Sequence, residues 1–262
     1  ARHDAHRRHR TTPRAGGILR RMRDVDRLAP TRRPPGTPSG HQRWRALFFL
    51  HWTFAPEVVA ARLPPGMTLD TWDGQAYVGV VPFRMEDVRP RWLPRPLALD
   101  FLETNLRTYV IVDGEPGVYF FSLEASSWLA VRAARAGWGL PYFHARMTST
   151  RDGDRVRYRS ARRTGAATLD LDASIGPPLS ASAPGTRAHF LLERYLLFSA
   201  RRGRIDRGQV HHPPYPAQAA TVHAVETTLL EAAGLPAPVG PPLAHYSAGV
   251  DVEVFGPTPL PR

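Results

Sequence analysis

The 262-residue chain has no cysteine and no lysine, and the whole of its basic count of 35 is arginine. Without thiols there are no disulfides, thiolate nucleophiles, zinc fingers or iron–sulfur clusters. Without an amine side chain there is no Schiff-base lysine and no P-loop lysine. No apolar run reaches the ~18 residues that a membrane-crossing helix needs, so no span is expected. The chain also lacks a Gly-x-Ser-x-Gly elbow, a glycine-rich nucleotide loop and a kinase signature. Its 11 histidines show no HxH, HxxxH or HExxH spacing. Neither a metal nor another cofactor is expected.

What is present describes a globular chain, 42% hydrophobic and 22% charged. The net charge of +12 is unevenly spread. Residues 1–43 hold 12 Arg against Asp4, Asp24 and Asp26, whereas the remainder holds 23 Arg against 20 acids. Residues 1–43 are rich in Arg, Pro and Gly and poor in large apolar side chains, so they are expected to form a disordered tail. Met22 is a rival start within that tail. A polycation of this kind binds polyanions whatever their sequence, and nucleic acid is expected as a partner only through it. No apolar segment follows the arginines as a secretory signal requires, and the cytoplasm is the expected location. Residues 44–262 are read as one domain, and deletion of 1–43 is expected to leave its melting temperature unchanged.

Within that domain, Arg45–Phe54 reads as a buried strand and Pro56–Leu63 as a short helix. Asp73-Gly74, Asp113-Gly114 and Asp152-Gly153 are strong hairpin signals, because both residues of each pair tolerate positive φ. They predict pairing of 68–72 with 75–83, 103–112 with 117–124, and 142–150 with 155–160. Three hairpins in ninety residues point to an antiparallel sheet or barrel rather than a βαβ fold. Helices are expected from a cap at Ser126 or Ser127 to Gly137, over Thr186–Ser199, and over Thr227–Ala233. Val250–Phe255 alternates as a half-buried strand, and 161–185 reads as a long loop with one edge strand.

Asp100–Ile111 (DFLETNLRTYVI) is the segment richest in chemistry. Side chains alternate along a strand, so Glu103, Asn105, Arg107 and Tyr109 project to one side. Such a row either faces water or lines an interior, where it would form a ligand site and Glu103 would need a partner such as Arg107. In Val118–Glu124, alternation puts Phe120, Ser122 and Glu124 on one face. Arg84 stands alone in an apolar run and is a second candidate anion ligand, while Pro82 beside it marks an edge or a bulge. Glu193-Arg194-Tyr195 reads as a polar anchor on a buried helix. His51, His144 and His211-His212 read as structural.

The segments RWRALFFLHWTFAPEVVAARLPPGMTLDTWDGQAYVGVVPFRM, ETNLRTYV, GVYFFSLEAS, WGLPYFHARM, ERYLLF and GQVHHPPYP occur in order from Trp44 to Phe255. In these the chain resembles the YqjF-like family of uncharacterised bacterial proteins (domain of unknown function 2071). That family is grouped with the acetoacetate decarboxylase-like fold. The resemblance implies a mostly-β α+β domain, an antiparallel cone-shaped β-barrel around a cavity with a few helices outside. The decarboxylase's Gly-x-Pro-Lys-Lys segment is matched by Gly139-Leu140-Pro141-Tyr142-Phe143, so tyrosine and phenylalanine stand where its lysines would be. Glu103 resembles its cavity glutamate, and Arg84 or Arg107 its arginine.

The resemblance therefore implies the fold without the lysine chemistry, since function lives in the site. Three readings follow. One is a cavity binding a small organic acid, with Glu103, Asn105, Arg107, Tyr109, Arg84, Tyr142 and Phe143 around it and Trp138 in its aromatic wall. The second is a non-covalent lyase, hydratase or isomerase on a keto or hydroxy acid, with Glu103 as acid or base and an arginine holding the carboxylate. The third is an interaction scaffold with a filled barrel.

Overall fold

A computed structural model describes residues 25–261. Twelve strands and four short α-helices are found among the described residues. The strands are β1 (Gly40–Phe54), β2 (Thr68–Leu69), β3 (Ala76–Pro90), β4 (Leu99–Val112), β5 (Glu115–Ala125) and β6 (Tyr142–Asp152) in the first half. The second half adds β7 (Arg155–Arg162), β8 (Thr168–Pro178), β9 (Leu196–Arg201), β10 (Arg204–His211), β11 (Ala217–Thr227) and β12 (Leu243–Pro259). The helices are α1 (Pro56–Ala60), α2 (Trp128–Trp138), α3 (Arg187–Leu192) and α4 (Leu229–Ala232).

All twelve strands belong to one sheet, ordered β10-β9-β5-β6-β7-β8-β11-β12-β1-β3-β4-β2. Additional pairings of β4 with β5 and of β10 with β12 make it curl round on itself. β4, β5 and β12 each have three neighbours, so the sheet is a ring with junctions rather than a simple barrel. Most pairs are antiparallel, and the two parallel contacts, with β6 and β9, both involve β5. The curl hides both faces of the central strands. Every residue of β4 from Glu103 to Val110 is buried.

Local chemistry explains most of the connections. Asp113-Gly114 turns β4 into β5 with both residues at positive φ, as a two-residue hairpin demands. Gly153 turns β6 into β7. Arg202-Gly203 makes the same kind of turn between β9 and β10, where the arginine at positive φ hides the signal. Asp73-Gly74 does turn the chain, but the segment before it goes elsewhere: β2 pairs with Val110 and Ile111 of β4. Ser127 caps α2 by accepting from the Ala130 N–H, and the left-handed residue that ends it is Gly139 rather than Gly137.

Three sequence expectations are corrected. Thr186–Ser199 is not one helix: α3 stops at Leu192, and Leu196–Arg201 enters the sheet as β9, where its apolar side chains pack just as well. Residues 161–185 include β8, which pairs with β7 and β11 and is no edge strand. Pro82 lies inside the sheet, where β1 shifts register between Arg45 and Leu50, so the bulge half of that reading holds.

Residues 1–24 of the expected tail lie outside the described residues. Residues 25–43 pack on the domain. Arg27 forms a two-pronged bond to buried Asp70 and lies over the Phe190 ring, 5.1 Å from its centroid. The Gln209 amide donates to the carbonyls of Pro30 and Arg32, and Arg33 pairs with Glu253. Gly40–Arg43 already belong to β1. Few large apolar residues are needed because the segment is held by guanidinium and backbone bonds. Removing residues 1–24 and removing 1–43 should consequently differ. Thermal unfolding is expected to show the shorter protein at least ~5 °C less stable, at about 2–4 °C per kcal/mol for a domain of this size.

Candidate functional site

β4 lies between β3 and β5, and its polar row projects into the enclosed side of the sheet. Glu103, Asn105, Arg107 and Tyr109 are 2%, 6%, 7% and 0% exposed. Facing them across β3 are Phe83, Val81, Gly79 and Tyr77, so the row is set in an apolar wall. Gly79 is required by packing. A Cβ there would stand 3.0 Å from the His51 ring and 3.5 Å from Cγ of Arg107, which both cross over it.

One carbonyl organises the Arg107 end. Leu191, in α3, accepts from the Arg107 guanidinium (3.1 Å) and from the Tyr109 hydroxyl (2.7 Å). That hydroxyl also lies 2.7 Å from Nε2 of His51. The phenol has one proton and gives it to the carbonyl, so Nε2 of His51 must be the N–H that donates to Tyr109. Arg107 lies over the rings of Phe49 and Tyr109, 5.5 and 5.9 Å from their centroids. Among the described residues it pairs with no carboxylate, and its Nε has no hydrogen-bond partner. A buried guanidinium without a counter-charge is costly to desolvate. The Glu103–Arg107 pairing foreseen from the sequence does not form. The two residues are four apart along an extended strand, roughly 13 Å between Cα atoms.

At the other end, Oε2 of Glu103 accepts from the Tyr142 hydroxyl at 2.8 Å. Burial is the main force on this carboxyl, and nearby Glu124 adds to it. They outweigh the Tyr142 bond and push the pKa up to about 8. Glu124 itself is paired with Arg162. At neutral pH Glu103 is therefore chiefly a neutral acid with a proton to give.

Other candidates separate from this group. Arg84 is exposed on the outer side of β3. Phe143 alternates away from Tyr142 and is covered by the Arg162 guanidinium, 3.7 Å from its ring centroid. Trp138 is half-buried against Gly208. The alternation read for β5 also fails. An extra residue in β5 at Phe121, opposite Leu106 and Arg107, returns Phe120 to the Leu123 side while Ser122 and Glu124 stay on the other.

Sequence reasoning missed the part played by His51 and His212. His212 stacks on Tyr195, 4.5 Å between centroids, and touches Tyr215 and Trp44. Its Nδ1 lies 2.8 Å from the Pro213 carbonyl, so Nδ1 carries the proton and Nε2, which has no partner, is a bare acceptor. Burial lowers the pKa of His212 to about 4 and that of His51 well below its usual value, and the charge of Arg107 contributes to both. The same charge acts on Tyr215. These groups thus share one neighbourhood although they come from different strands and loops. The signal available in sequence was the position of His51 on the inward phase of β1.

Glu193 and Arg194 anchor the wall behind α3. Glu193 accepts from Tyr195, Ser182 and the Tyr215 N–H, while Arg194 binds Asp70 at 2.9 Å. A cavity of about 10 Å³, room for about one water, lies among Arg27, His189, Phe190, Glu193, Arg194 and Tyr195. Among the described residues no cluster of three His, Asp or Glu side chains is arranged to hold a metal.

A family model for uncharacterised conserved proteins, DUF2071, matches residues 41–251. The chain belongs to the DUF2071 family. It is 37% identical over 222 residues to the uncharacterised protein YqjF of Bacillus subtilis, covering 84% of this chain and 91% of that one. Among solved structures it is similar to the enduracididine biosynthesis enzyme MppR complexed with pyruvate, with TM-score 0.61 and 12% identity over 87% and 92% of the two chains. It is also similar to acetoacetate decarboxylase of Legionella pneumophila, with TM-score 0.55 and 17% identity over the same shares. The fold of this DUF2071 member is thus acetoacetate decarboxylase-like. Tyr142 and Glu103, the positions matched to the decarboxylase lysine segment and glutamate, are in direct contact.

The state of Glu103 has a consequence for stability. A carboxyl raised from about 4.5 unfolded to about 8 folded favours the native state fully below pH ~4.5. That contribution is lost as pH rises to about 8. Glu103→Gln should match the parent in stability at pH 4 and exceed it by about 2–5 kcal/mol at pH 9, as read by chemical denaturation across pH. A difference independent of pH would place an ionised Glu103 in the native state.

Proposed function

We propose that the interior of this DUF2071 domain binds a small organic acid, with Arg107 as the carboxylate partner. The observation that carries the reading is a buried guanidinium with no counter-charge among the described residues and an Nε–H without a partner. A carboxylate ligand supplies both the missing charge and the missing acceptor. The neutral carboxyl of Glu103, the Asn105 amide and the Tyr142 ring give the remaining contacts. Support by analogy comes from MppR, a protein of this fold complexed with pyruvate. The chain has no lysine, so the reading involves no iminium intermediate.

A second reading rests on Glu103 specifically. A buried acid poised at about 8 and bound only to a phenol is suited to protonating a developing enolate or a leaving hydroxyl. Arg107 would then hold the substrate carboxylate while Glu103 moves the proton, as in a non-covalent lyase, hydratase or isomerase. Under this reading Glu103→Gln binds the acid but loses turnover, and the parent's rate falls as pH passes about 8. The filled-scaffold reading expects an interior without a pocket, and neither described cavity is lined by Glu103, Asn105, Arg107 or Tyr142. Against it stands the Arg107 cation, which a packed plug would not need.

Binding is tested by thermal shift and calorimetry with a panel of small keto, hydroxy and dicarboxylic acids. At 100 times its dissociation constant a ligand adds about 2.7 kcal/mol, a shift of several degrees. Arg107→Met is expected to abolish that shift while leaving the ligand-free protein as stable or more stable, since an unpaired buried charge is removed. A variant several degrees less stable without ligand would make Arg107 a structural strut, and the anion site would fall.

A further inference from the structure

The hydrogen-bonding inventory around Arg107 carries information about the ligand beyond its charge. Three buried atoms there are acceptors without a partner: Nε2 of His212, Nδ1 of His51 and Oδ1 of Asn105. The two imidazole assignments are forced by their opposite nitrogens. Nδ1 of His212 faces the Pro213 carbonyl, and Nε2 of His51 faces a phenol oxygen whose proton is already given to Leu191. Both residues are 2% exposed, so bulk water does not satisfy them. A buried polar group left unpaired in this way is costly, and a ligand that pairs it gains affinity.

A keto acid has no O–H or N–H to offer these atoms, because its carboxylate and its carbonyl both accept. Its carboxylate answers Arg107, and it leaves every bare acceptor bare. A hydroxyl in place of the ketone accepts from one neighbour and donates to another. Resting on the anion reading above, we propose that the interior selects a 2-hydroxy acid over the matching 2-keto acid, its carboxylate on Arg107 and its hydroxyl donating to Nε2 of His212.

Lactate and pyruvate differ at C2 alone, a tetrahedral carbon with a hydroxyl in one and a planar ketone in the other. The test is therefore calorimetric titration of the full chain with pyruvate and with each enantiomer of lactate, and the His212 variant separates hydroxyl donation from shape. The proposal expects one lactate enantiomer to bind at least ~tenfold more tightly than pyruvate. It further expects His212→Phe, which retains a ring between Tyr195 and Tyr215, to bring that enantiomer down to the affinity of pyruvate without changing pyruvate binding. Pyruvate binding as tightly as lactate overturns the proposal and leaves the anion site standing. A lactate preference that persists in a folded His212→Phe variant overturns the assignment to His212. If neither acid binds and Arg107→Met changes nothing, the anion reading fails and this one fails with it.

Discussion

The Leu191 carbonyl is the point on which the interior depends. It takes one hydrogen bond from Arg107 and one from Tyr109, and so ties α3 to the middle of β4. Through Tyr109 it fixes the tautomer of His51 on β1, and of the Arg107 guanidinium it engages Nη2, leaving the buried Nε without a partner. A backbone oxygen carries no net charge, so it orients the cation without neutralising it. The interior is therefore rigid and hydrogen-bonded yet electrostatically incomplete. This combination separates Arg107 from a structural ion pair such as Arg194 with Asp70.

Much of this was legible in the sequence where the governing interaction is local. The Asp-Gly turns placed the β4–β5 and β6–β7 hairpins, and strict alternation put Glu103, Asn105, Arg107 and Tyr109 on one side of β4. Alternation fixes a shared side but not which side is enclosed. Arg84 is equally polar and lies in an equally apolar run, yet it faces outward. Phe143 follows Tyr142 in the motif and, because neighbours in a strand point apart, faces away from the site. The β5 bulge at Phe121 depends on pairing with β4 and leaves no local trace.

The larger misreadings came from interactions between segments distant in sequence. Leu191–Ser199 suits a buried helix or a buried strand equally well by composition, and its pairing with β5 and β10 decides for strand after Tyr195. Residues 25–43 look like a polycation in isolation. In the structure Arg27 and Arg33 are consumed by Asp70 and Glu253, residues far along the chain. Net charge per segment is a poor guide to order when opposite charges arrive from another strand.

The phenol at position 142 also governs what Glu103 can be. A cationic side chain in contact with a buried carboxyl stabilises its ionised form and lowers its pKa. Tyr142 offers one neutral hydrogen bond, which is too weak to offset burial and the nearby charge of Glu124. The carboxyl consequently keeps its proton to about pH 8, and the tyrosine, raised by burial and by Glu103 itself, keeps its own. With no lysine in the chain there is no side-chain amine for a Schiff base, and the Glu103 carboxyl beside the Tyr142 phenol is a neutral hydrogen-bonding group. Among the described residues Arg107 is thus the cation of this polar row without a carboxylate partner, while Glu103, bonded to Tyr142, keeps its proton to about pH 8.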